Sequence, residues 1–334
     1  MSTIGFVYDS RAEYLAAGFS EEQVAEFDTE DTISLIEAAL VRLGYMVDRV
    51  GNGRNLARRL ADGARWDLVF SIAEGVSGRS REAQVPAVCE MFDQPYAFSD
   101  PLTMAATLDK SVAKRIVRDA GIATAPFIVM ETGREDLGGW RHYPAFIKPL
   151  AEGTGKGCER ASLVDDQKSL RNAARSLVAR FHQPALVEAY LPGREFTVGI
   201  VGNGQDAHVI GIMEVSVNKN AEGGIYSFNN KEFCETTVTY SRPLDAEAIR
   251  AGEVALACYR VLGCRDSGRV DLRSDWKHDP VFMEINPLAG LHPTHSDLPI
   301  LAAQNGIEFD SLLSMILAAA HARYGRTARK RMSA

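Results

Sequence analysis

Between Gly268 and Asn286 the chain alternates apolar and polar side chains in two short runs. Side chains two apart share a face of a strand. In Gly268-Arg269-Val270-Asp271-Leu272-Arg273, Arg269, Asp271 and Arg273 therefore point one way, and Val270 and Leu272 the other. Residues 274–280 are polar and turn-like. In Val281-Phe282-Met283-Glu284-Ile285-Asn286, Glu284 and Asn286 share one face, and Val281, Met283 and Ile285 the other. Paired as a hairpin, these strands bring together two carboxylates, an amide oxygen and an arginine. Hard oxygen ligands of this kind suit Mg²⁺, which keeps waters and bridges substrate phosphates. Two such ions would neutralise charge on a transferring phosphoryl group, and Arg269 would stabilise a developing oxyanion. The alternative is a half-exposed hairpin with a solvated polar face. Against it, Glu284 and Asn286 interrupt an apolar run, which acidic groups seldom enter without a partner.

Upstream, the pattern predicts strands at Ile4–Tyr8, Tyr45–Val50 and Asp67–Ile72. Helices fall between them, over about Asp31–Leu43 and Asn55–Ala61. That alternation implies a parallel, doubly wound α/β sheet. Leu108, Val112, Ile116 and Val117 recur at helical spacing, which predicts one helix from about Pro101 to Asp119, stopped by Gly121. From Pro144 the pattern changes to short strands, at Ala145–Leu150, Ala185–Leu191, Glu195–Val201 and His208–Val217, with a helix over Asp165–Arg180. The tail after Ala320 is basic, from Arg323 to Arg331, and reads as a frayed end. At 334 residues the chain exceeds the roughly 250–300 residues at which one core stops growing, so two or three subdomains are expected.

Lys148 sits in the apolar strand Phe146-Ile147-Lys148-Pro149 and feeds the loop Glu152-Gly153-Thr154-Gly155-Lys156-Gly157. Glycines let a backbone wrap closely round a ligand, with amides donating to phosphate oxygens; a flexible surface turn is the alternative. Lys110 and Lys231, taken singly, read as solvent-exposed. Glu188 ends one apolar strand and Glu195 begins another. Either could cap or pair locally, or accept hydrogen bonds from an adenine amino group or ribose hydroxyls.

Composition narrows the class. A net charge of −7 and 24% charged residues argue against a broad nucleic-acid surface. No apolar run approaches the roughly 18 residues of a membrane span, and the first residues do not read as a signal peptide. Cys89, Cys158, Cys234, Cys258 and Cys264 are scattered without a C-x-x-C, which fits reduced thiols in a cytoplasm. After Ile4–Tyr8 there is no dinucleotide-binding glycine fingerprint, so an NAD-dependent enzyme is disfavoured.

In joint order and spacing, Pro95-Tyr96…Ser99-Asp100, Leu108-Asp109-Lys110, Ile147-Lys148-Pro149, Glu152-Gly153-Thr154, Val187-Glu188-Ala189-Tyr190-Leu191, Gly193-Arg194-Glu195-Phe196-Thr197-Val198 and Met283-Glu284-Ile285-Asn286-Pro287 resemble the ATP-grasp superfamily, in particular the D-alanine–D-alanine ligases. The resemblance runs from about Asp67 to Gly306. It implies two α+β subdomains clasping ATP behind a Rossmann-like N-terminal domain, with divisions at 1–102, 103–192 and 193–334. It implies ATP and two Mg²⁺ ions, for which Mn²⁺ could substitute, amino-acid-like substrates and a homodimer. Lys110 and Lys148 would hold phosphates under the Glu152, Gly153 and Thr154 loop. Glu188 and the backbone near Leu191 would hold adenine, and Glu195 the ribose. Lys231 would reach the γ-phosphate, and Asp271, Glu284 and Asn286 would ligate the metals. Arg269 would stabilise the oxyanion, and Ser296 would meet the second substrate's carboxylate. The implied chemistry is stepwise: a carboxylate attacks the γ-phosphate, and an amine then displaces phosphate from the acyl phosphate. It needs positioning and exclusion of water, with the glycine loop and the Lys231 segment as lids.

The departures fall on the amino-acid side. Where these ligases carry a glycine-rich turn with a substrate-binding glutamate, this chain reads Tyr8-Asp9-Ser10-Arg11-Ala12-Glu13, leaving Asp9 or Glu13 as stand-ins. Their His-Gly is replaced by Glu74-Gly75, and Glu232 follows Lys231. With Arg79 and Arg81, this extra charge suggests a more polar substrate than D-alanine. A non-catalytic nucleotide-binding regulator on the same fold is the other reading; retention of Arg269, Asp271, Glu284 and Asn286 argues against it.

Overall fold

The computed structural model describes residues 1–153, 155–217 and 238–332. Three sheets carry the chain. The first is parallel, with β1 (Thr3–Val7) between β2 (Met46–Gly51) and β3 (Leu68–Ser71). Helices Glu30–Arg42 and Gly53–Ala61 make its crossovers. The second is antiparallel, in the order β4 (Phe127–Met130), β7 (Ala185–Ala189), β5 (Ala145–Pro149), β6 (Leu163–Val164), with helix Gln167–Phe181 packed on it. The third is antiparallel, in the order β10 (Val238–Ser241), β9 (His208–Val217), β8 (Glu195–Val201), β11 (Ser267–Ser274), β12 (Pro280–Asn286).

Apolar side chains join these layers. Ile4, Phe6 and Phe70 of the first sheet share one core with Ile33, Ile36 and Leu40, with Met213 of β9, and with Leu298, Leu312 and Ile316 of helices Asp297–Gln304 and Phe309–Met332. A second core packs Val270, Leu272, Phe282 and Ile285 against Tyr259 of helix Ala246–Val261 and Val117 of helix Lys110–Asp119. Among the described residues no helix is long and apolar enough to cross a membrane.

Two expectations fail. The stretch from Pro101 to Asp119 is two helices, Pro101–Leu108 and Lys110–Asp119, broken at Asp109. The Asp109 carboxylate accepts from the amides of Ser111 (3.0 Å) and Val112 (3.1 Å), so a side chain replaces the backbone ladder and starts a second helix. Periodicity alone cannot register that restart. Nor does order end at Ala320: the helix runs to Met332, and Arg323 is anchored. Its guanidinium pairs with Asp266 at 2.7 Å and donates to the carbonyl of Tyr96 at 2.8 Å. Asp266 is inaccessible to solvent and receives the amide of Phe98 at 2.8 Å, so a buried charge recruits the tail.

Candidate active site

The hairpin forms, and the predicted alternation holds for Arg269, Asp271, Glu284 and Asn286. Arg269 pairs with Asn286 and Asp271 with Glu284, while Val270, Leu272, Phe282 and Ile285 face the core. Asp275 shapes the turn by accepting from the amides of Lys277 (2.8 Å) and Asp279 (3.0 Å). A bulge between Asp271 and Leu272 leaves Met283 opposite no partner. Met283 therefore lines the cleft, and Phe282 rather than Val281 backs the hairpin with Ile285, because an extra residue shifts the alternation by one.

The polar face sits where two cavities meet. Asp271 and Glu284 line a cleft between the second and third sheets, about 940 Å³ including its open mouth. Arg269 and Asn286 line a chamber bordered by the first sheet's loops. Arg269 Nη2 donates to Asp271 at 2.9 Å, and its other terminal nitrogen pairs with Asp297. Asp271 also accepts from Thr197 Oγ1 at 3.0 Å.

Lys110, Lys148, Glu152, Glu188, Leu191 and Glu195 all line the cleft. Lys148 Nζ lies 3.1 Å from Glu188 and 3.4 Å from Glu284. Burial alone would lower its pKa, but these two carboxylates outweigh it and raise it. Lys110 donates to the Glu152 carbonyl at 2.6 Å and lies 3.7 Å from Glu284. Glu188 shows the local pairing left open by sequence: it is buried between Lys148 and Lys114, the latter at 2.5 Å. Burial would raise its pKa, yet the two ammonium groups hold it below the usual carboxylate range. Glu195 stands 3.4 Å from Arg273, which donates to Tyr190 Oη at 3.0 Å.

Lys114 and Asp297 were not singled out by sequence, and Arg273 and Tyr190 were given no role there. Lys114 is four residues after Lys110, one helical turn on, and that spacing was the available signal. The glycine loop behaves differently from expectation. The Gly153 amide donates to Glu26 at 2.7 Å, because that segment of the first layer folds over the loop. Thr154, Lys231 and Glu232 lie outside the described residues.

In the chamber, Ser296 Oγ accepts from the His292 amide at 3.0 Å. Gly290 permits this close packing, since a Cβ there would stand 2.8 Å from that hydroxyl. Neither Asp9 nor Glu13 lines the chamber. Asp9 is buried and accepts from the Gly75 amide (2.8 Å) and Tyr14 Oη (2.9 Å), while Glu13 is exposed on helix Arg11–Ala16. Glu74, Glu82 and Asp28 line it instead. Gly75, at φ 74°, lets that loop close, because a Cβ would meet the Arg81 carbonyl at 2.6 Å. Burial pushes Asp28 and Glu82 up to about 7 and raises Glu74 well above the carboxylate range.

Among the described residues no three His, Cys, Asp or Glu side chains are placed to hold a metal alone. Two carboxylates and an amide form the sparser donor set that Mg²⁺ uses when phosphates complete its shell.

Comparisons with known proteins place this arrangement. A family profile described as D-ala D-ala ligase C-terminus matches residues 116–318. A D-alanine–D-alanine ligase from Syntrophotalea carbinolica is 31% identical over 92% of this chain and 95% of its own. An uncharacterised protein, y4sG of Sinorhizobium fredii, is 35% identical over 77% of this chain and 75% of its own. Among solved structures, the Bacillus anthracis D-alanine–D-alanine ligase complexed with ATP superposes with a TM-score of 0.74 at 22% identity, covering 98% of this chain and all of that one. The chain therefore belongs to the D-alanine–D-alanine ligase family of ATP-grasp enzymes.

Proposed function

We propose that this ATP-dependent carboxylate–amine ligase activates an amino-acid carboxylate as an acyl phosphate and joins it to an amine. One observation carries the reading: a single hairpin face sends Asp271 and Glu284 into one cavity and Arg269 and Asn286 into its neighbour. A reaction that moves phosphate from a nucleotide onto a second substrate needs that shared wall.

The nucleotide occupies the cleft. Lys110 and Lys148 take its phosphates, Glu188 and the backbone near Leu191 the adenine, and Glu195 the ribose. Glu188 retains acceptor capacity beyond its two lysines, since a carboxylate has about four lone-pair sites. Asp271, Glu284 and Asn286 would hold Mg²⁺, which supplies charge neutralisation of the phosphates when bound. The substrate carboxylate attacks the γ-phosphorus and ADP leaves. The amine of the second substrate then attacks the acyl carbon, phosphate leaves, and the amine proton is lost to solvent. Arg269 sits beside the oxyanion formed in that second step, and Ser296 meets the second carboxylate. Lys231, on the chain outside the described residues, is assigned to the γ-phosphate by resemblance.

Hydroxylamine trapping tests the intermediate. With ATP, Mg²⁺ and an amino acid, the enzyme should yield the amino-acid hydroxamate together with ADP. ADP release with no hydroxamate and no amide product for any amino acid would remove the acyl phosphate from the mechanism.

A further inference from the structure

We infer that Glu284 makes the cleft selective for metal-bound over metal-free nucleotide, by holding the two phosphate lysines until a divalent cation draws its carboxylate away. The inference rests on the ligase reading above and deepens it: Glu284 has a second task, the exclusion of bare nucleotide.

Among the described residues, every basic side chain lining the cleft stands beside a carboxylate that lines it too. Lys156 lies 2.7 Å from Glu152, and Arg273 lies 3.4 Å from Glu195. Lys148 Nζ is 3.1 Å from Glu188 and 3.4 Å from Glu284 Oε2. Lys110 Nζ is 3.7 Å from that same Oε2. One carboxylate oxygen thus serves both lysines assigned to the phosphates. Two neighbouring carboxylates have cations from outside that pair: Glu188 has Lys114 at 2.5 Å, and Asp271 has Arg269 at 2.9 Å. Five carboxylates and four basic groups of the described residues line the cleft, so the lining offers a bare polyphosphate no surplus positive charge.

Lys110 and Lys148 are 7% and 5% exposed, and ammonium groups that deeply buried need an anionic partner. Glu284 supplies one while the cleft is empty. A metal-free diphosphate would have to take both lysines from Glu284 while its carboxylate stayed beside the phosphates. Like charges in a partly enclosed site repel more strongly than in water. The strand cannot carry Glu284 away, because it pairs with Asp271 across the hairpin and Phe282 and Ile285 fix β12 in the core. The side chain itself is 21% exposed and can turn within the cleft. A divalent cation entering with the nucleotide gives Glu284 a harder, doubly charged partner. Both ammonium groups then pass to phosphate oxygens in the same exchange, and no charge is left uncompensated. A carboxylate that served only as a metal ligand would leave metal-free affinity unchanged when neutralised. Under this exchange, that affinity rises.

The full-length protein should be titrated calorimetrically with ADP, once in EDTA and once in saturating Mg²⁺, at fixed ionic strength. In the unaltered protein Mg²⁺ should tighten ADP binding by at least about tenfold. Glu284→Gln should bind metal-free ADP at least about threefold tighter than the unaltered protein, the scale of a partly exposed ion pair. Its gain from Mg²⁺ should shrink at the same time. Glu284→Ala is read in the same way if the glutamine variant fails to fold. Asp271→Asn also removes a cleft carboxylate, but one held by Arg269, and should lower the gain from Mg²⁺ without tightening metal-free ADP. Metal-free ADP binding no tighter to the Glu284 variants than to the unaltered protein overturns the inference, as does equal tightening by Asp271→Asn. ADP binding in Mg²⁺ in those same titrations would leave the ligase reading standing. No ADP binding to the unaltered protein under either condition would remove the nucleotide cleft, and both readings with it.

Discussion

Arg269 donates to Asp271 at 2.9 Å across the line where the cleft and the chamber meet. The same guanidinium pairs with Asp297, so two carboxylates fix its plane. Lysine cannot reproduce that fork. Arg269→Lys should therefore lower kcat by roughly 100-fold or more, the scale for losing one preorganised oxyanion donor. KM for ATP should stay within a few-fold. Steady-state kinetics check this, and a variant that loses ATP affinity while keeping kcat would show Arg269 to be a nucleotide contact.

Glu284 is only partly exposed and lies within reach of both Lys110 and Lys148. Glu284→Gln removes one charge from the proposed metal site without changing its shape. The expected outcome is a fall in kcat of about two orders of magnitude or more, with the Mg²⁺ requirement moved to higher concentration. Thermal unfolding should be almost unchanged. Near-normal turnover at low Mg²⁺ would exclude Glu284 as a ligand.

Lys114 has no solvent exposure and joins three elements, contacting Glu188 at 2.5 Å, Thr124 Oγ1 at 3.1 Å and the Phe282 carbonyl at 3.2 Å. Removing one partner of a buried pair typically costs about 3–5 kcal/mol. Lys114→Met should show a loss of that order in chemical denaturation, together with weaker ATP binding as Glu188 pulls Lys148 toward itself. Lys114→Met/Glu188→Leu should recover part of the stability and none of the ATP affinity. Unchanged denaturation midpoints in the single variant would mean the pair contributes nothing net.

Stability should depend on pH through Asp28 and Glu82. Both fold with pKa values pushed up to about 7, chiefly by burial, from unfolded values near 4. Between those values the native state holds more protons than the unfolded chain, so unfolding free energy falls as pH rises. Their contribution is complete below about pH 4 and is lost as pH passes about 7. Asp28→Asn/Glu82→Gln should flatten this slope in urea unfolding measured at pH 5 and pH 8. Equal slopes for the two proteins would contradict the burial of these carboxylates.

The hairpin was legible because strand alternation is local: the placement of Arg269, Asp271, Glu284 and Asn286 follows from spacing two apart. The bulge was not, since it depends on how β12 meets β11 and the neighbouring Thr124. The first sheet and its helices were legible from period alone. The Asp109 break hides inside an unbroken helical period, because a capping carboxylate changes the backbone without changing the hydrophobic stripe. Arg323 read as part of a basic tail, and only its partner, the buried Asp266 some sixty residues upstream, gives it a fixed place. Lys114 and the first-layer carboxylates share that character: each is defined by charges brought near through the fold.

Glu26 accepts the amide of Gly153 and the guanidinium of Arg81, tying the glycine loop to the first layer. The loop rims the cleft through Glu152 and the chamber through Gly153. One carboxylate thus stitches both rims to a common post. A ligand of the cleft and a ligand of the chamber that both favour this stitched arrangement tighten each other's binding by the same factor.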